Sequence, residues 1–366
     1  MKLKNINIAF LFAALIFCNS CSDHNPVSYK IDQWQTSSPE DQNINSLYLN
    51  KLVLDINNNV FGNIKSLVII RNSYLIFEKY FRGDTRETLH PVYSVTKSIV
   101  SALVGILFQR DEISSLDNKL LSYFADYNIK NPDTDKSSIT LRNTLNMSAG
   151  FQWNELSIPY SDPNNDFQKL FSSIDPIQYV LDKPMQDTPG SIFRYNTGLP
   201  LLFGAIITEL TGEPADTFAN KNLFSEIGIR NFNWVHARGN IVNTGSGLYL
   251  RPLDMALFGE LYLNQGIWNR KQIISPEWIS LSTAKSIVVN SNFDYGYYWW
   301  RYSNSNNVVS TLPINDIYYA YGYGDQIILI IPQYKIVVVI TADNGESNYP
   351  IDNIFKNYIL PSIIDK

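Results

Sequence analysis

Ser94-Val95-Thr96-Lys97-Ser98-Ile99-Val100-Ser101-Ala102-Leu103-Val104-Gly105-Ile106-Leu107 is an apolar, small-residue run that opens on a serine with a lysine three positions on. Read as a helix, it puts residues three apart on one face, so the Lys97 amine reaches the Ser94 hydroxyl. Ser94 then lies at the helix N-terminus, where unpaired N–H groups and the positive end of the dipole favour the oxyanion formed when a serine attacks a carbonyl. A second Ser-x-x-Lys, Ser282-Thr283-Ala284-Lys285, ends a helical stretch and precedes the β-branched Ile287-Val288-Val289. It lacks the helix-start setting, and local sequence favours Ser94 as the nucleophile.

Outward from this run, strand signals collect at the two ends of the chain. Ser66–Arg71 and Tyr74–Tyr80 flank Asn72-Ser73, the pattern of a hairpin with a two-residue turn. Late strands are expected at Tyr295–Arg301, Ile317–Tyr321, Gln326–Ile331 and Lys335–Thr341. Between them lie helical patterns at Leu141–Met147, Leu199–Thr211, Pro214–Phe224, Pro252–Asn264 and Pro276–Thr283, several starting at proline, which suits a first helical turn. A last helix is expected over Tyr349–Ile364. The expectation is an α+β fold: an antiparallel sheet formed from both ends of the chain, flanked by helices, with an inserted, mostly helical lobe. A site belongs in the cleft between sheet and lobe. Gly322 and Gly324 precede a strand rather than a helix, so a nucleotide loop fails its context.

The chain has three histidines, His24, His90 and His236. His24 is near the N-terminus, and His90, four residues before Ser94, suits packing or capping better than a catalytic base. Three dispersed histidines do not make a zinc site. Asp133 and Asp135 lack the glycine and terminal glutamate of a calcium loop and read as a solvated turn. No metal or organic cofactor is expected. Without histidine, the base must be a lysine, tyrosine or carboxylate. Pro189-Gly190-Ser191-Ile192-Phe193-Arg194-Tyr195-Asn196-Thr197-Gly198 offers a tyrosine on a loop running into a helix.

Ser94-x-x-Lys97, Pro-Gly-x-x-Phe-x-Tyr195 and a late glycine-bearing strand are ordered as in penicillin-recognising serine hydrolases. The chain resembles above all class C β-lactamases and their esterase, peptidase and 6-aminohexanoate-dimer hydrolase relatives. Further matching elements are Thr140-Leu141-Arg142 with Met147-Ser148-Ala149-Gly150, Ser246-Gly247-Leu248-Tyr249, Asn264-Gln265-Gly266-Ile267-Trp268 and Tyr295-Gly296-Tyr297-Tyr298-Trp299-Trp300. The resemblance implies a β-lactamase/transpeptidase-like fold. It makes Ser94 the acylated nucleophile, Lys97 its activating partner and Tyr195 the proton shuttle, with the backbone N–H groups of Ser94 and Tyr323 as oxyanion hole. Tyr160, Thr197, Tyr321, Gly322 and Trp299 are the expected substrate-side residues. Trp299 and Trp300 point to opposite faces of a strand, one to the cleft and one to the core. Arg142 and Arg194 take structural roles by default.

Two departures bear on the substrate. Ala320-Tyr321-Gly322 stands where β-lactamases carry Lys-Thr-Gly, and Thr197 replaces the asparagine two after the tyrosine. The cation that holds a β-lactam carboxylate is missing. The expected activity is hydrolysis of an ester or amide, on a small molecule or a peptide. True β-lactamase or D-alanyl peptidase activity, or weak binding of peptidoglycan or peptide by the same fold, are the alternatives.

Composition and the N-terminus set the address. Of 366 residues, 45% are hydrophobic and 17% charged, the balance of a chain with a real core. Net charge is −5 without a basic block, which argues against nucleic acid as a partner. Lys2 and Lys4 precede an apolar run from Ile8 to Phe17 that is too short to span a membrane and ends at Cys18-Asn19-Ser20-Cys21. This resembles a bacterial lipoprotein signal: residues 1–20 a signal peptide, Cys21 the lipidated residue, 21–45 a polar tether and 46–366 the hydrolase domain. Cys18 departs from the usual pattern, and an ordinary cleaved signal peptide is the alternative. The expected location is the bacterial cell envelope, on the periplasmic or cell-surface side. Both cysteines lie here, so the mature domain has no internal disulfide.

Overall fold

The computed structural model describes residues 34–306, 316–346 and 350–364. The expected signal peptide, Cys21 and the first part of the tether lie outside them. One antiparallel sheet of eight strands organises the domain: β1 (Ile64–Arg71), β2 (Tyr74–Tyr80), β3 (Ile287–Val288), β4 (Phe293–Tyr295), β5 (Trp300–Tyr302), β6 (Tyr318–Gly322), β7 (Gln326–Ile331) and β8 (Ile336–Ala342). Their spatial order is β2-β1-β8-β7-β6-β5-β4-β3, so the first hairpin is completed by the last strand, with Leu67 opposite Ile340. Asn72 and Ser73 both adopt positive φ, the backbone that a two-residue hairpin turn needs to match the strand twist.

Both faces of this sheet are covered, which is why its central strands read as apolar runs without polar alternation. Leu67, Ile69, Leu329, Val338 and Ile340 face a core closed by α1 (Ser46–Asn57) and the C-terminal helical segment from Pro350 to Ser362. Val68, Ile70, Ile328, Ile330, Val337 and Val339 face a second, larger core with α2 (Val95–Gln109), α3 (Gly198–Thr211), α4 (Pro252–Leu263) and α5 (Pro276–Thr283). Every residue of α2 from Val95 to Leu107 is buried, as an all-round apolar helix requires. Residues between α2 and α4 supply most of the helical lobe.

Several boundaries differ from the sequence reading. The single strand expected over Tyr295–Arg301 is two: β4 ends at Tyr295, Tyr298 takes φ +63°, the Gly296 N–H donates to Trp299 O, and β5 starts at Trp300. The helix expected over Pro214–Phe224 loosens from α-helix at Ala215–Ala219 into a π-turn at Asn220–Phe224. Within the stretch expected as a polar tether, Trp34 packs partly buried against the larger core while most residues from Gln35 to Asp41 are exposed. Thr36 bridges Leu75 on the sheet edge, and Ile44 is buried against the C-terminal segment through its bridge to Ile363.

Candidate active site

Ser94 occupies the N-cap of α2 and is approached through Tyr93, whose φ of +45° is costly for a non-glycine residue and turns the chain sharply into the helix. The turn is pinned from behind by the Val92 N–H, which donates to Leu248 O, and by pairing of His90–Pro91 with Tyr249 and Leu250. One turn into α2, Lys97 is 1% exposed. Its Nζ lies 2.7 Å from Ser94 Oγ, 3.1 Å from Thr197 Oγ1 and 2.8 Å from Gly245 O. Burial disfavours the ammonium form and brings Lys97 down to about 7, against an opposing pull from the Glu155 carboxylate. A lysine so placed is neutral in a substantial fraction of molecules at neutral pH.

Tyr195 reaches the same spot from the loop before α3. That loop is held by the Arg194–Asp187 ion pair at 2.7 Å and by the Arg194 N–H donating to Met147 O. The Tyr195 ring is buried, sits 4.9 Å from Lys97 Nζ and stacks on Trp300, centroids 6.1 Å apart and planes 26° from parallel. From the sheet side, β6 runs backbone against backbone on the turn that carries Ser94. A methyl on Gly322 would stand 2.3 Å from Val92 O and 3.2 Å from the Ser94 nitrogen, so only glycine allows this approach. Tyr323 follows in the turn to β7, its ring packed edge-on against Tyr93 and Tyr160.

Above these residues opens a cleft of about 400 Å³ bounded by Ser94, Glu155, Tyr160, Tyr195, Trp300, Tyr321, Tyr323 and Glu346. That volume suits a small-molecule or short-peptide substrate. Tyr160 and Tyr321, both named as candidates from sequence, line it. Trp299 does not: it is fully buried among Phe258, Tyr262 and Tyr318, and its neighbour Trp300 forms the wall instead. The turn after β4 decides which of the two faces the cleft. Thr197 is also not at the surface of the cleft. It is 1% exposed and lies beneath, between Lys97 and a carboxylate.

That carboxylate, Glu155, is the residue sequence reasoning missed. It is 2% exposed and accepts from the Thr197 N–H and hydroxyl, the Trp153 indole N–H and the Tyr160 hydroxyl, at 2.6 to 3.0 Å. It sits on an irregular loop with no periodicity to mark it. Glu346 is a second unforeseen acid: it accepts from the Tyr160 N–H across the cleft mouth. The remaining sequence candidates lie elsewhere. Neither His90, buried in its short strand, nor His236, bonded to Asp216 and Asn240, hydrogen-bonds Ser94. Ser282 is buried at the end of α5, bonding Ile279 O, and Lys285 pairs with Asp294. Arg142 bonds Asp117 and Tyr297. Asp133 caps the short helix Thr134–Ser138. Among the described residues no cluster of three His, Cys, Asp or Glu side chains could hold a metal.

Comparison with known proteins bears on the family and the fold. The sequence profile of the beta-lactamase family matches residues 65–355. Among solved structures, a 6-aminohexanoate-dimer hydrolase assigned in Bacillus anthracis superposes with TM-score 0.70 at 22% identity, over 85% of this chain and 80% of that one. A protein from Bacteroides dorei assigned as a beta-lactamase gives TM-score 0.70 at 16% identity, over 88% of this chain and 100% of its own. EstCE1, a hydrolase with promiscuous acyltransferase activity, gives 0.70 at 16%, over 86% and 99%. At these identities the likeness is one of fold.

Proposed function

We propose that this chain, which belongs to the beta-lactamase family, cleaves an ester or amide through an acyl-enzyme on Ser94. The observation that carries the reading is the buried Lys97 amine, held down to about 7, 2.7 Å from a serine hydroxyl at the floor of an aromatic cleft. Lys97 takes the Ser94 proton as Oγ bonds to the carbonyl carbon. The backbone N–H groups of Ser94 and Tyr323 hold the oxyanion, and Tyr195 passes its proton to the leaving group and regains one from protonated Lys97. Water then hydrolyses the acyl-enzyme by the reverse proton path. No cofactor takes part.

The walls bear on the substrate. Among the described residues, those lining the cleft include the carboxylates of Glu155 and Glu346 but no lysine or arginine, and Ala320-Tyr321-Gly322 supplies no cation on β6. A substrate carboxylate, as on a β-lactam or a D-alanyl peptide, would meet negative charge unrelieved by a partner. Neutral or cationic esters and amides fit better. We further propose that lipid on Cys21 tethers the enzyme at the cell envelope, Cys21 lying outside the described residues.

The test is covalent labelling with a fluorophosphonate and, separately, a tagged penicillin, with the adduct located by mass. Fluorophosphonate on Ser94, lost in Ser94→Ala, and little penicillin adduct is the expected result. Rapid penicillin acylation would restore the β-lactam reading. Absence of any Ser94 adduct would make the cleft a binding site.

A further inference from the structure

The bonds around Lys97 fix more than distance. Glu155, when ionised, can only accept, so Thr197 must spend its single hydroxyl proton on Glu155 Oε1, 2.6 Å away. Thr197 Oγ1 is then an acceptor toward Lys97, 3.1 Å off. The other neighbour, Gly245 O at 2.8 Å, is a carbonyl and can only accept. A neutral lysine amine has two N–H bonds and one lone pair. Both N–H bonds are taken by Thr197 and Gly245, and the third direction points at Ser94 Oγ, 2.7 Å away. Were the Thr197 proton free to rotate toward Lys97, the lone pair would have two competing donors and the serine would lose its base.

We propose that Glu155 is a positioning residue for acylation: by holding the Thr197 hydroxyl proton it makes Thr197 an acceptor and leaves the Lys97 lone pair aimed at Ser94. This rests on the Ser94 acyl-enzyme reading above. Glu155 neither gains nor loses a proton in the step. The Ser94 proton goes to Lys97, the Oγ electron pair forms the bond to the carbonyl carbon, and the carbonyl π pair becomes the oxyanion. The same carboxylate also accepts from the Tyr160 hydroxyl, which ties the orientation of the base to a wall of the cleft. Its charge supports the ammonium form of Lys97 as well, so its removal carries a second, separable signature in the pH profile.

The experiment compares the rate of fluorophosphonate labelling at Ser94, as a function of pH, in the wild type and in Glu155→Gln, Thr197→Val, Thr197→Ser and the Glu155→Gln/Thr197→Val double variant. Glutamine keeps the shape of the carboxylate but brings a donor into a site of four donors. Labelling in Glu155→Gln is expected to fall about tenfold or more at its high-pH plateau, short of the ~10²–10⁴-fold carried by a proton-transfer group itself. Its pH midpoint is expected to move down, because the charge that favours protonated Lys97 is gone. Thr197→Val should lose a similar factor and Thr197→Ser should restore it. At the plateau the double variant should be no slower than Glu155→Gln, since both changes break one relay. A wild-type plateau and midpoint in Glu155→Gln, a Thr197→Val as fast as Thr197→Ser, or additive losses would each overturn the proposal while leaving the acyl-enzyme reading intact. If Glu155→Gln fails to fold, the valine–serine comparison decides alone. An unlabelled wild type overturns the parent reading and this one with it.

Discussion

Lys97 carries its amine where burial costs the charged form more than the nearby Glu155 recovers, and in the proposed mechanism this one side chain sets the pH response. The base is useful only when neutral, so kcat/KM should rise with pH through a midpoint near 7, the value to which Lys97 is lowered. Lys97→Arg, whose guanidinium stays protonated, should lose ~10²–10⁴-fold at every pH. A profile flat through neutrality in the wild type would remove Lys97 from the role. At this scale the sequence is informative where chemistry and helix geometry coincide: Ser94 and Lys97 are one turn apart, and Tyr195 stands on a loop with a distinctive proline-glycine start. It is silent on Glu155 and Thr197 as partners, because their meeting depends on a loop conformation between Gly150 and Asn165 that carries no repeating pattern.

Among elements, the turn between β4 and β5 has the largest consequence. Alternation along a strand predicts that Trp299 and Trp300 part company, but it cannot say which goes inward. Tyr298 at positive φ settles the phase, sending Trp299 into the core and Trp300 to the cleft. The two substitutions should therefore divide stability from function. Trp299→Ala should cost about 3–5 kcal/mol in denaturant unfolding, as for a fully buried aromatic. Trp300→Ala should cost clearly less there while raising KM and loosening Tyr195, which stacks on it. Equal stability losses, or an unchanged KM in Trp300→Ala, would contradict this division. Many strand and helix positions were legible because the sheet is apolar on both faces and α4 and α5 start at proline. Turns and π-segments were not, because single backbone dihedrals decide them.

For the whole molecule, the proposed anchor predicts that the intact chain incorporates labelled palmitate in bacterial cells and fractionates with membranes, and that Cys21→Ala does neither while labelling at Ser94 is unchanged. Palmitate retained in Cys21→Ala would sink the assignment. Among the described residues no helix is long and apolar enough to cross a membrane. The order in which the chain is synthesised adds a temporal dimension to the sheet topology. β1 and β2 leave the ribosome early, yet the inner edge of β1 is completed by β8, and the strand against Ser94, β6, joins that edge only through β7 and β8. Closing so long a loop is entropically slow and has no partial reward. A nascent chain that already holds Ser94, Lys97 and Tyr195 thus has no platform on which to bring them to bear. On the proposed reading, competence to acylate arrives with the last strand, and a chain cut short in synthesis is expected to be inert toward its surroundings.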